Sequence, residues 1–80
     1  MPKLAQVSGL QLVRLLQSLG YEIIRQKGSH IRLKKVTVSG EHAITVPVHK
    51  VMAKGTLSDI ISKASLWNSI SKEDLIRQLK

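Results

Sequence analysis

The hydrophobic period of this chain changes twice along its length, and those two changes bound what it can fold into. Leu12, Leu15, Leu16 and Leu19 fall at i, i+3, i+4 and i+7, the single apolar stripe that a helix presents to a core. Ser8 stands as the N-cap of that helix, Gln11 follows three residues on to close a capping box, and Gly20 marks its end. From Tyr21 the period is two. Tyr21 to Lys27 is rich in strand formers, and Gly28-Ser29 is a turn pair. His30 to Val36 then alternates, with Ile31 and Leu33 on one face and His30, Arg32 and Lys34 on the other. Ser39-Gly40 marks a second turn. Ala43 to Val48 reads as a third strand that points Ile44, Val46 and Val48 inward. Pro47 confines that strand to an edge or puts the residue at its terminus.

Helical spacing returns after the basic loop His49 to Gly55. Thr56 is the expected N-cap of the second helix, with Asp59 three residues on, and Leu57, Ile60, Ile61 and Ala64 form its apolar stripe. Asn68-Ser69 breaks the pattern. Ser71 then caps a last short helix with Asp74 three on, Ile70 is placed to staple to Leu75, and Leu75, Ile76 and Leu79 make its apolar face. Short turns force neighbouring strands to pair antiparallel. The reading is therefore an α+β chain of order α-β-β-β-α, with a three-stranded antiparallel sheet and a short extra C-terminal helix. Each helix has one apolar stripe and the second strand one apolar face, so the helices are expected on one side of the sheet, with the other side wet. Eighty residues suffice for a single domain over 1–80.

Charge narrows the partners. Thirteen Lys and Arg against five Asp and Glu give a formal net charge of +8, which suits a polyanion such as nucleic acid or an acidic protein. Tyr21 and Trp67 are the only aromatic residues, so RNA would be held through phosphates and shape rather than by base stacking. No stretch approaches the roughly 18 apolar residues of a membrane span, so no membrane partner is expected and a cytoplasmic location is. Cysteine is absent. The five acids are scattered, and His30, His42 and His49 lack metal-ligand spacing, so neither metal nor cofactor is expected.

One feature offers chemistry without a metal. His30 follows Gly28-Ser29 amid Arg25, Lys27, Arg32, Lys34 and Lys35, and no acid interrupts the chain between Glu22 and Glu41. Histidine ordinarily titrates near neutrality and serves as a general acid or base. In RNA the 2′-hydroxyl can attack its own neighbouring phosphate, with nearby cations stabilising the phosphoryl oxygens. A solvated turn histidine in a basic hairpin is the plainer alternative. His42 beside a turn and His49 at a strand end read more readily as structural or solvent-exposed groups than as catalysts. A non-catalytic RNA-binding module and a purely protein-binding domain with a basic face both fit the same composition.

The residues resemble a known family. Gly20-Tyr21, Arg25-Gln26-Lys27-Gly28-Ser29-His30, Val46-Pro47-Val48-His49 and Gly55-Thr56-Leu57 with Ile60-Ile61 are similar, in order and approximate spacing, to the HicA toxins, the YcfA-like mRNA interferases. The resemblance runs from about Ser8 to Leu79. It implies a double-stranded-RNA-binding-like fold, an endoribonuclease acting on messenger RNA as the toxin of a toxin–antitoxin pair, and a HicB-like antitoxin partner. It maps the family's essential histidine, which follows Gly-Ser, onto His30 and a second one onto His49. Together with the neighbouring cations, the expected RNA-binding set is Lys27, Gly28, Ser29, Arg32, Lys34 and His49. Trp67 and Asn68 depart from the pattern, standing where a small residue and a glycine would open the turn between the last two helices.

Overall fold

Ser8 opens the first element as its side chain predicts. Its Oγ accepts from the Gln11 amide at 3.1 Å, and the Gln11 side chain accepts from the Ser8 amide at 2.8 Å, the reciprocal capping box. Helix α1 runs Gly9–Ser18 and buries Leu12, Val13, Leu15 and Leu16. The computed structural model describes residues 7–79; residues 1–6 and 80 of the single unit expected over 1–80 lie outside the described residues.

Three strands follow, β1 (Glu22–Lys27), β2 (His30–Thr37) and β3 (Gly40–Pro47), antiparallel and in the spatial order β1-β2-β3. The third begins earlier than its alternation suggested, because the ladder closes down to the Thr37–Gly40 pair at the hairpin. Pro47 ends this edge strand, where a missing amide leaves no ladder bond unmade. Val48 lies just past the strand and is half-buried against the core.

Ile31, Leu33, Ile44 and Val46 point from the sheet into one cluster with the apolar faces of the helices. Burying each such side chain stabilises the fold by roughly 1.5–3 kcal/mol. The opposite sheet face carries no helix among the described residues. The first strand departs from strict alternation. Ile23 pairs with Leu33 and Arg25 with Arg32, so Ile24 is the extra residue of a β-bulge.

Helix α2 (Lys54–Asn68) starts two residues before Thr56. Thr56 is therefore inside the first turn, and Ala53 takes the cap position in extended conformation with no side-chain cap bond. The reason lies upstream. Met52 is buried, and its amide donates to the Val7 carbonyl at 2.7 Å, so tertiary anchoring at Met52 fixes where the helix enters. Asp59 forms an i,i+4 ion pair with Lys63 at 3.0 Å rather than a cap. The expected stripe of Leu57, Ile60, Ile61 and Ala64 is buried.

Helix α3 (Lys72–Gln78) is capped by Ser71, whose hydroxyl accepts from the Asp74 amide at 3.1 Å. The turn between the last helices is opened by Ser69, in the left-handed region at φ 55. This is the one non-glycine residue with positive φ among those described. Leu75 is fully buried, and Leu79 nearly so.

Candidate nucleic-acid interface

Two sequence motifs far apart in the chain meet at one end of the sheet. Gly28 and Ser29 form the two-residue connection between Lys27 and His30, which pair directly. A positive φ of 58 at Gly28, with Ser29 not in that region, is the backbone pattern of a type II′ hairpin turn, which wants glycine at its first central position. His30 also pairs with Pro47 across the other ladder, and the Val48 amide donates to the Ser29 carbonyl at 2.5 Å. The Gly-Ser-His turn and the Pro-Val-His strand end are thereby held side by side.

A third segment locks them. The Gly9 amide donates to the His49 carbonyl at 2.9 Å, and a Cβ at Gly9 would lie 2.5 Å from the Pro47 carbonyl oxygen and 2.8 Å from Val48 Cα. No side chain fits there. The start of α1 thus sets the position of the loop that carries His49. The His49 carbonyl has this structural use, while its side chain is exposed.

His30 is exposed at the first position of β2, and Arg32 is exposed two residues on. The Arg32 guanidinium donates to Thr45 Oγ1 at 3.3 Å. Lys27 lies opposite His30, and Arg25 lies opposite Arg32. Like charges placed directly across a ladder destabilise a sheet. Glu22 and Glu41 both lie at the other end of the face, so an anion bound between Arg25 and Arg32 would offset this repulsion. Lys34 shares the face, but its ammonium is 3.0 Å from the Glu41 carboxylate, and Glu22 is its cross-strand neighbour. Lys35, by alternation, turns to the helix side and donates to Asn68 Oδ1.

His42 belongs to that far side too. The Tyr21 hydroxyl lies 2.5 Å from His42 Nδ1 and accepts from the Asn68 amide at 3.3 Å, so the phenol donates to the imidazole. The Trp67 ring stacks on His42 at 5.0 Å between centroids. Burial, aided by the charge of Lys63, holds the His42 imidazole below its usual range. Burial likewise raises the Tyr21 hydroxyl, against the smaller opposing effect of the Asn68 hydrogen bond. This group ties the end of α2 to the sheet, and it explains Trp67 and Asn68 as packing residues. Nothing in the local sequence announced it.

The described residues hold no cluster of three or more His, Cys, Asp or Glu side chains suited to a metal ion, and no described helix is long and apolar enough to cross a membrane. What the exposed end offers is an imidazole, two guanidinium groups and an ammonium, converging on solvent around a tight turn. Such a surface can bind a phosphodiester and exchange a proton with it. A family model described as the HicA toxin of bacterial toxin–antitoxin systems matches residues 9–66. No curated protein and no solved structure gives a significant match to the chain.

Proposed function

Because the chain belongs to the HicA toxin family of bacterial toxin–antitoxin systems, we propose that it is a metal-independent endoribonuclease acting on messenger RNA, with His30 as general acid or base. The observation that carries this reading is the exposed imidazole at an acid-free, cationic end of the sheet. In the reaction the 2′-hydroxyl loses its proton and its oxygen bonds to phosphorus. The bond from phosphorus to the 5′-oxygen breaks, and that oxygen takes up a proton. His30 performs one of the two proton transfers. Lys27 and Arg32 hold the phosphoryl oxygens as charge develops on them. Gly28 and Ser29 bring the backbone close to the strand, Lys34 extends the cationic row, and His49 contacts the same linkage from the neighbouring loop. DNA lacks the internal nucleophile and is not cut.

A toxin of this family has an antitoxin partner. We take it to be a HicB-like protein that covers the open sheet face and blocks His30. The cytoplasm, where messenger RNA is available, is the place of action. The test is cleavage of end-labelled RNA in excess chelator. Wild type is expected to give 2′,3′-cyclic phosphate and 5′-hydroxyl ends, and His30→Ala to give none while staying folded. Salt-sensitive binding with no product over long incubation would make the chain a binding module instead.

A further inference from the structure

The open sheet face has two chemically different ends, and only one suits RNA. Around Lys34 lies a groove of about 330 Å³ lined by Gly20, Glu22, Ile24, Lys34 and Val36, with Ile24 on the Arg32 side of Lys34 and Val36 on the other. Ile24 is 51% exposed and Val36 67%. Alternation from Glu22, which pairs with Lys34, puts Ile24 on this face, and the bulge that follows brings Arg25 onto it as well, opposite Arg32. Neither side chain contributes to the core cluster. Phosphate gains nothing from them, and Glu22 and Glu41, which flank Lys34 here, repel it. The apolar end is therefore not an extension of the RNA site.

We infer that this groove is the anchor point of the antitoxin, which seats an apolar side chain between Ile24 and Val36 while its acidic side chains lie over Arg25, Lys27 and Arg32. The inference rests on the proposal that the cationic end is where RNA is cleaved. Three considerations fix the occupant. Membership of a toxin–antitoxin family supplies a protein partner. The groove is continuous with the cationic end through Lys34, so a partner that blocks His30 passes over both. A chain of net charge +8 is complemented by an acidic protein, whereas a second copy of the same chain would bring two cationic rows face to face. Toxicity and neutralisation are then separable, because RNA uses one end of the sheet and the antitoxin uses both.

The experiment measures antitoxin affinity by calorimetry and RNA cleavage by the free toxin for Ile24→Ser, Val36→Asp and Val36→Lys. Both positions are solvent-facing, and circular dichroism checks that each variant is folded. Each substitution is expected to weaken antitoxin binding about tenfold or more, as loss of a central apolar anchor does, with cleavage within about twofold of wild type. Val36→Lys separates apolar contact from charge, since it adds the sign that attracts an acidic partner yet still loses affinity. Unchanged affinity in the folded variants overturns the assignment. So does loss of cleavage in a folded variant, which would give the groove to RNA, or a wild-type self-association that Val36→Asp abolishes, which would give it to a second copy. A wild-type chain that cleaves no RNA sinks the cleavage reading alone, and the affinity comparison still decides the groove.

Discussion

Replacing Gly9 with alanine tests whether the start of α1 really sets the geometry of the site. The added Cβ would stand 2.5 Å from the Pro47 carbonyl oxygen, 2.8 Å from Val48 Cα and 3.2 Å from the His49 amide nitrogen. All three are backbone atoms, so no side chain can swing aside. Helix and loop must separate, which stretches the 2.9 Å bond from the Gly9 amide to the His49 carbonyl. Overpacking of this kind costs about 1–3 kcal/mol, and a weakened hydrogen bond adds about 0.5–1.5 kcal/mol. Alanine's better helix propensity returns at most about 1 kcal/mol. The net expectation is a loss of roughly 0.5–4.5 kcal/mol, at about 4–8 °C in Tm per kcal/mol for a domain this small. Urea unfolding followed by circular dichroism measures it, with Gly55→Ala as the control. Gly55 lies in the first turn of α2 with nothing within 4 Å of a built Cβ, so alanine there is expected to be neutral or mildly stabilising. If Gly9→Ala matches or exceeds wild-type stability, the close approach is not what positions the Pro47–His49 segment.

Three further outcomes follow from the charges and the core. His42 has a folded-state pKa below the ordinary 6.5, so the unfolded chain binds more protons as pH falls through that value and stability drops on the acid side; His42→Phe is expected to flatten this limb in pH-dependent denaturation, and an unchanged limb would assign it to other groups. Tyr21, raised above 10.0, acts in the opposite sense, because the unfolded chain ionises first and stability falls above that pH; removing the phenolic proton donor by Tyr21→Phe is expected to remove that alkaline loss in the same measurement. Arg32→Ala is expected to lower the slope of log binding constant against log salt for single-stranded RNA by about 0.7, and Arg25→Ala likewise, whereas Lys63→Ala, on the helix side in an ion pair with Asp59, is expected to leave it unchanged.

Much of this was legible in the residues because local and global preferences agree. Ser8 with Gln11, Ser71 with Asp74 and the leucine stripe of α1 each name a helix without tertiary help. The alternation of β2 puts His30 and Arg32 on the face opposite Ile31 and Leu33, which is the open one. Elsewhere the long-range structure overrode local signals. Gly55-Thr56 with Asp59 has the look of a helix start, but the buried Met52 and its bond to Val7 begin the helix at Lys54. Ile23-Ile24 breaks alternation, a sign that β1 contains a bulge, yet which residue is extra depends on the partner strand. The role of His42 was not readable at all, since Tyr21, Trp67 and Asn68 reach it from three separate elements. The same bulge hid the place of Arg25, which strict alternation from Glu22 would turn to the helix side.

The most direct measurement is the chemistry of the cut ends. Purified toxin, freed of its antitoxin and incubated with end-labelled RNA in chelator, is expected to leave 2′,3′-cyclic phosphate and 5′-hydroxyl termini, with His30→Ala folded and inactive. Undiminished cleavage by His30→Ala, or 5′-phosphate termini, would contradict a single exposed imidazole working on the ribose–phosphate linkage.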